Sequence, residues 1–304
     1  MPKLHRYTTD WSNLCIIMNT LPIRKLSTLA AAATVLALFG TGTAQATAPA
    51  APAAVKEASK AQHSQAAAAV PYGKRAATHN PLYRTGRISV SNCSAGQIRS
   101  GSAASYRRFM TKINTCLNNS WARQFRKARL PYAKPRLRFV TGKVSSPCGR
   151  WPTGAGGYYC SSNKTMYIGV TRKVVRDAFE LGSAQFMAHE YAHHVQTISK
   201  IGPNYYFPTH NRSRGSAKLL LSRRFELQAD CLASAFLRSV QSSLPVNSME
   251  WRSMNDWTRK NGHKAWPTND HGKGYSQAYW AQRGFDSGGP GGCNTWAASS
   301  GRVA

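Results

Sequence analysis

Phe186-Met187-Ala188-His189-Glu190-Tyr191-Ala192-His193-His194-Val195-Gln196 lies inside a segment, about Ala184 to Lys200, whose periodicity predicts a helix stopped by Gly202-Pro203. His189 and His193 are four residues apart, so on a helix they project from one face, one turn apart, and can reach one metal ion. Glu190 then stands beside the remaining coordination position, where a carboxylate can take a proton from water. Met187, Tyr191 and Val195 make the helix too apolar for a solvated setting, and Tyr191 reads as core. His194 sits about 100° around the helix from His193 and reads as a hydrogen-bonded core histidine. Gln196 reads as packing or as part of the site wall.

A catalytic zinc typically takes three protein ligands and leaves one position open. The extended H-E-x-x-H-x-x-G-x-x-H arrangement is excluded, because Gln196 and Ser199 stand where it needs Gly and His. A second helix, about Ala217 to Val240, carries Phe225-Glu226-Leu227-Gln228-Ala229-Asp230-Cys231. Glu226 is the natural third ligand, and Asp230, one turn on, can accept the free ring N–H of a ligating histidine, His189 first.

These carboxylates are scarce. The chain has 304 residues, 41 Lys plus Arg against 11 Asp plus Glu, and a formal net charge of +30. With 42% hydrophobic and 10% aromatic residues it is no disordered polycation. Such a charge points to anionic partners, with polymers of the cell envelope as candidates through the basic surface. No zinc-finger, RNA-recognition or helix-turn-helix signature is present, so no specific nucleic-acid motif is read.

Residues 1–46 read as a leader and signal peptide, with Met18 as an alternative start, Arg24 and Lys25 as its basic region, Leu29 to Phe39 as its apolar run, and cleavage after Ala44-Gln45-Ala46. An uncleaved membrane anchor is the alternative. Residues 47–79 read as an Ala/Pro-rich linker and residues 80–304 as one folded domain. Cys93, Cys116, Cys148, Cys160, Cys231 and Cys293 suit disulfides in an exported protein. Six cysteines allow fifteen pairings. The expected set is Cys93 with Cys116, Cys148 with Cys160 and Cys231 with Cys293, of which only the second, bracketing a Gly-rich loop, has local support.

Elsewhere, a three-to-four spacing of apolar residues from Tyr106 to Phe125 predicts a helix over about 104–128, and Leu137 to Thr141 and Thr165 to Val170 read as strands. The second strand is the expected edge for holding an extended peptide. His271 is placed as a hydrogen-bond donor to the oxyanion of acyl transfer, with Tyr279 and His263 as alternatives.

The chain resembles the neutral zinc metallopeptidases of bacteria from roughly Asn80 to Trp296. The resemblance rests on Asn80-Pro81-Leu82-Tyr83; Cys148-Gly149 with Tyr158-Tyr159-Cys160; His189 to Gln196; Glu226 to Cys231; and His271-Gly272 with Trp280, Gly284 and Cys293-Asn294-Thr295-Trp296. It implies an α+β, zincin-like, disulfide-stabilised domain with a small mixed sheet, one Zn2+ on His189, His193 and Glu226, Glu190 as base, and a peptide or protein substrate. Ala192, Gln277 and Ser161-Ser162-Asn163 depart from the family pattern, where Gly, Arg and Pro-x-Asp are common. The expected protein is a secreted zinc endopeptidase; the alternative is a weakly catalytic or non-catalytic envelope-binding protein with a structural zinc site.

Overall fold

A computed structural model describes residues 69–304 apart from 143, 152–155, 245–246 and 267. The expected leader and the first part of the expected linker, to residue 68, lie outside the described residues. The elements are α1 (Lys74–Thr78), α2 (Ala103–Lys127), β1 (Arg136–Val140), β2 (Ser145–Ser146), β3 (Gly149–Arg150), β4 (Gly157–Cys160), β5 (Thr165–Gly169), α3 (Arg172–Asp177), α4 (Glu180–Ile198), α5 (Phe207–Arg212), α6 (Gly215–Val240), α7 (Ser248–Asn261) and α8 (Gly274–Ser287). The fold class is α+β, mainly helical with two small sheets.

α2 begins where the Ser102 hydroxyl accepts the Ser105 N–H at 3.2 Å, and its last turn carries Arg126 and Lys127, cations that suit the negative end of the helix dipole. The apolar stripe from Tyr106 to Phe125 is buried as its spacing predicts. α4 is different in kind: every residue except Glu180 and Gln185 is buried, so it is a central helix with protein on all sides. It packs against α2, α6 and β4. α4 ends at Ile198, Lys200 turns the chain with φ +70°, and a π-helical turn over Gly202–Tyr206 leads into α5.

The main sheet has the order β1-β5-β4, with β1 parallel and β4 antiparallel to β5. Thr165 to Val170 is therefore not an edge, contrary to the sequence expectation. All five residues of β5 are buried, and an apolar strand covered on both faces belongs at a sheet centre. β4 is an edge instead. Gly169 N–H donates to Gly156 O at 2.7 Å, which makes Tyr158 and Tyr167 the next mutually bonded pair and turns the N–H and C=O of Gly157 and Tyr159 toward the open side.

The three expected disulfides are present: Cys93–Cys116, Cys148–Cys160 and Cys231–Cys293. The first fastens the chain ahead of α2, the second ties the β2–β3 hairpin to β4, and the third ties α6 to the turn Pro290–Cys293.

The folded chain starts earlier than Asn80. Ala76 and Ala77 of α1 are fully buried, and Ala77 packs with Ile201, Tyr206, Phe225 and Trp296. Asn204 holds the same segment from both directions, accepting from Gly73 N–H at 3.2 Å and donating to Pro71 O at 3.1 Å. An alanine-rich stretch lacks the bulk to make a core alone, yet its small side chains fit against an aromatic surface made elsewhere. Among the described residues no helix is long and apolar enough to cross a membrane.

Candidate metal centre

α4 and α6 pack side by side, and the four-residue spacings in each bring their polar faces together. Ligand-type atoms of His189, His193 and Glu226 lie within 4.8 Å of one another. Glu226 Oε2 is 3.3 Å from His189 Nε2 and 3.2 Å from His193 Nε2, and the two imidazole nitrogens are 3.1 Å apart. All three residues are buried.

The outer partners fix which ring nitrogen carries the proton. His189 Nδ1–H donates to Asp230 Oδ1 at 2.8 Å. His193 Nδ1 is 2.9 Å from Gln196 Oε1. That oxygen is an acceptor because Gln196 Nε2 donates to Phe225 O at 2.8 Å and to Gln228 Oε1 at 3.1 Å. Both rings thus carry a proton on Nδ1, and in their neutral form the Nε2 lone pairs face one carboxylate oxygen. Glu226 Oε2 has no hydrogen-bond partner among the described residues. Three donor atoms aimed at one point in a buried site repel one another unless a proton or a metal cation lies among them, and two imidazole nitrogens with a carboxylate oxygen are a donor set that fits a zinc ion.

The carboxylates that would attract a cation to this point also attract a proton. Burial disfavours a charged His189, yet the Asp230 and Glu226 carboxylates overcome it and hold the ring well above the usual histidine range. Burial pushes Glu226 up, but His193 and His271 pull it well below the usual carboxylate range, so it stays ionised.

Glu190 is fully buried, and among the described residues neither carboxylate oxygen closes a hydrogen bond. Burial raises its carboxyl above the ordinary value against the pull of His189 and His193, and the Tyr159 backbone N–H of β4 faces it without closing a hydrogen bond. A carboxylate kept out of water and out of structural bonds is available for proton transfer.

His271 comes from the loop before α8. Its Nε2 is 3.4 Å from Glu226 Oε2, its Nδ1 donates to Asp270 Oδ1 at 2.7 Å, and its ring stacks on Trp266 with centroids 3.5 Å apart. Gly272, at φ +82°, turns the loop, and a Cβ there would press on Leu227 Cδ1 at 3.2 Å. Lys273 N–H donates to Ala304 O at 2.7 Å and Arg223 Nη1 to Asn269 O at 3.1 Å. Gln277, one of the departures from the family pattern, donates to Gly272 O at 2.8 Å and so supports this loop. Of the two alternatives to His271, Tyr279 packs with Trp280 and Arg302, and His263 lines a cavity beside Trp266; among the described residues neither pairs with Glu226 as His271 does.

His194 is a satisfied interior histidine, with Nε2–H donating to Ala133 O at 2.7 Å and Nδ1 accepting from Tyr159 OH at 3.0 Å. Burial keeps it neutral, with its pKa lowered to about 4. It therefore pins the edge strand to the back of α4. Tyr191 is core with a polar tip, its hydroxyl 2.6 Å from Tyr132 OH and donating to Asn118 Oδ1 at 2.9 Å. Sequence reasoning did not single out Asp270 or Trp266, and it quoted Tyr159 only within a segment of the family resemblance. Asp270 was within reach, since an acid next to a candidate histidine is notable in a chain with 11 acids.

A mainly helical domain with a His-His-Glu cluster and an adjacent buried carboxylate defines a candidate metallohydrolase. Residues 80–296 match the family described as "Putative neutral zinc metallopeptidase", and the chain belongs to that family. "Uncharacterized protein YpfJ" of Escherichia coli (strain K12) is 29% identical over 208 residues, covering 63% of this chain and 72% of that protein. "Uncharacterized protein Rv2575" of Mycobacterium tuberculosis (strain ATCC 25618 / H37Rv) is 24% identical over 203 residues, covering 55% of this chain and 64% of that protein. No solved structure matches the chain.

Proposed function

We propose that this protein is a secreted, zinc-dependent endopeptidase. The observation that carries the reading is the pairing of two fixed Nδ1–H histidines and an unpartnered Glu226 oxygen with a buried, unbonded Glu190 on the next residue of the same helix. His189, His193 and Glu226 would hold one Zn2+, which when bound supplies the Lewis acidity that activates water and polarises a peptide carbonyl. Glu190 takes the proton of the attacking water and returns one to the leaving amine. His271, held by Asp270 and Trp266, donates to the oxyanion when its Nε2 carries a proton in addition to the Nδ1–H given to Asp270. Asp230 and Gln196 hold the two imidazoles in register. The open backbone groups of Gly157 and Tyr159 pair with an extended substrate, and the Tyr159 N–H places that substrate alongside Glu190.

Three disulfides suit an oxidising compartment, which supports export, and the +30 charge suits residence among anionic envelope polymers. A purely structural zinc site is disfavoured by Glu190, because a closed site has no use for a carboxylate left buried and unbonded. The test is zinc content together with a peptide-library digest. Glu190→Gln should retain zinc while hydrolysis falls by about 10²- to 10⁴-fold. Undiminished hydrolysis would refute the role of Glu190; His193→Ala with undiminished zinc would refute the ligand set.

A further inference from the structure

Trp266, whose indole stacks on His271, also lines a cavity of about 540 Å³. Arg259, His263, Asn269, Gly272 and Lys273 contribute to the same walls, and no Asp or Glu does. Arg259 and Lys273 are exposed, and among the described residues neither makes an ion pair. Asp270, three residues before Lys273, is already bonded to His271, and Asp256, three residues before Arg259 on α7, forms no ion pair with it. Two uncompensated cations over an aromatic surface are the chemistry that receives a carboxylate. The cavity also adjoins the candidate centre. The indole is 3.5 Å from the imidazole whose Nε2 is 3.4 Å from Glu226 Oε2, and an extended peptide advances about 3.3 Å per residue, so a substrate bound at the metal would reach the cavity within a few residues.

We propose that this cavity is a substrate subsite that takes a carboxylate of the bound peptide, through Arg259 and Lys273, beside the His271 loop. The inference rests on the peptidase reading for the word substrate, while the cavity and its cations stand apart from the zinc ligands. The carboxylate can belong to an internal acidic side chain or to a peptide C-terminus.

The test uses the full chain loaded with zinc and a peptide series that differs only in Glu, Gln or Lys at each position near the scissile bond, with free and with amidated C-termini. An exposed ion pair contributes up to about fivefold, so two cations should give Glu peptides or free C-termini an advantage of about tenfold in kcat/KM, expressed in KM. The double variant Arg259→Ala/Lys273→Ala should bring that ratio to about twofold or less, while Arg108→Ala on α2 should leave it at the wild-type value. Preference that follows the internal Glu assigns the site to side chains; preference that follows the free terminus assigns it to chain ends. Equal handling of Glu and Gln peptides and of both termini, or a preference that survives the double variant, would overturn the proposal. A second arm measures equilibrium binding of the same peptides to Glu190→Gln by tryptophan fluorescence. If no peptide is hydrolysed yet this variant binds the carboxylate peptides about tenfold more tightly, dependent on Arg259 and Lys273, the subsite stands and the peptidase reading falls. If it binds carboxylate and amide peptides alike, the subsite falls.

Discussion

Asp230 offers a direct probe of whether the α4–α6 cluster is a metal centre, because it touches His189 and not the ion. Its Oδ1 accepts the Nδ1–H at 2.8 Å, which sets the tautomer and strengthens Nε2 as a donor. Loss of such a partner typically costs 10- to 100-fold in metal affinity, or about 1.4–2.7 kcal/mol. The Asp230 side chain is 23% exposed, so water can replace its oxygen in Asp230→Ala and the loss should fall near the lower end, about tenfold. Asp230→Asn keeps an acceptor and loses only the charge, so its loss should be smaller. Gln196 is the contrasting case. It is fully buried, and its removal strands the His193 Nδ1–H without access to water and takes one donor from Phe225 O, while Gln228 Oε1 keeps its bond from Trp296 Nε1. Gln196→Ala should therefore destabilise the metal-free fold by roughly 1–3 kcal/mol at any pH, whereas Asp230→Ala removes the carboxylate that raises the His189 pKa, so its cost should be greatest below the ordinary histidine range and shrink as pH rises. Competition with a chromogenic chelator gives zinc affinity, and urea unfolding of the metal-free protein gives stability. Wild-type zinc affinity in Asp230→Ala would refute the coupling of Asp230 to a zinc-ligating His189.

Gly284→Ala should destabilise the protein by about 1–3 kcal/mol or more, because the new Cβ would meet backbone atoms of Cys231, with Cys231 C at 2.8 Å and Cα at 2.9 Å, and α8 could relieve this only by moving off α6; a midpoint unchanged in thermal unfolding would contradict that packing. Cys231→Ser/Cys293→Ser opens a link spanning 62 residues, for which the chain-entropy relation gives about 4 kcal/mol, and reversible denaturation against wild type measures it. Zinc should associate faster with the metal-free protein as ionic strength rises, since a net charge of +30 repels a dication and salt screens that field; a stopped-flow rate that falls with salt would show the local carboxylates to dominate the approach.

The ligand cluster was legible because helical periodicity converts a spacing of four residues into a shared face. His189 with His193, and Glu226 with Asp230, each needed only the assumption of a helix, and packing α4 on α6 then brought the two faces together. What surrounds the cluster was less legible, for the same reason. Trp266 and His271 stack across a loop with no period to announce the contact, and Gln196 gains its meaning from Phe225 O and Gln228 on another helix. The edge strand was misread because β4 and β5 both look β-prone in one dimension. Their order depends on β1 pairing with β5 across an intervening hairpin. α1 was read as linker because alanine carries little hydrophobic weight of its own, although Ala77 is fully buried against Tyr206, Phe225 and Trp296.

The distribution of acids explains how a strongly cationic chain can host a dication. Of 11 Asp and Glu residues, Glu190, Glu226, Asp230 and Asp270 gather around the cluster, and each has a distinct environment. Glu226 is held ionised by the rings it faces, Glu190 is pushed toward protonation by burial, and Asp230 and Asp270 each take the outer N–H of one imidazole. The long-range field of the surrounding Lys and Arg falls off over a Debye length of about 10 Å at 0.1 M salt, whereas these contacts act at hydrogen-bond distance inside a low-dielectric interior. The local terms therefore win at the site, and the global charge governs what approaches it. Under the proposed peptidase reading, such a division favours a substrate bearing negative charge, which the same field attracts and the cations of the proposed subsite beside Trp266 orient.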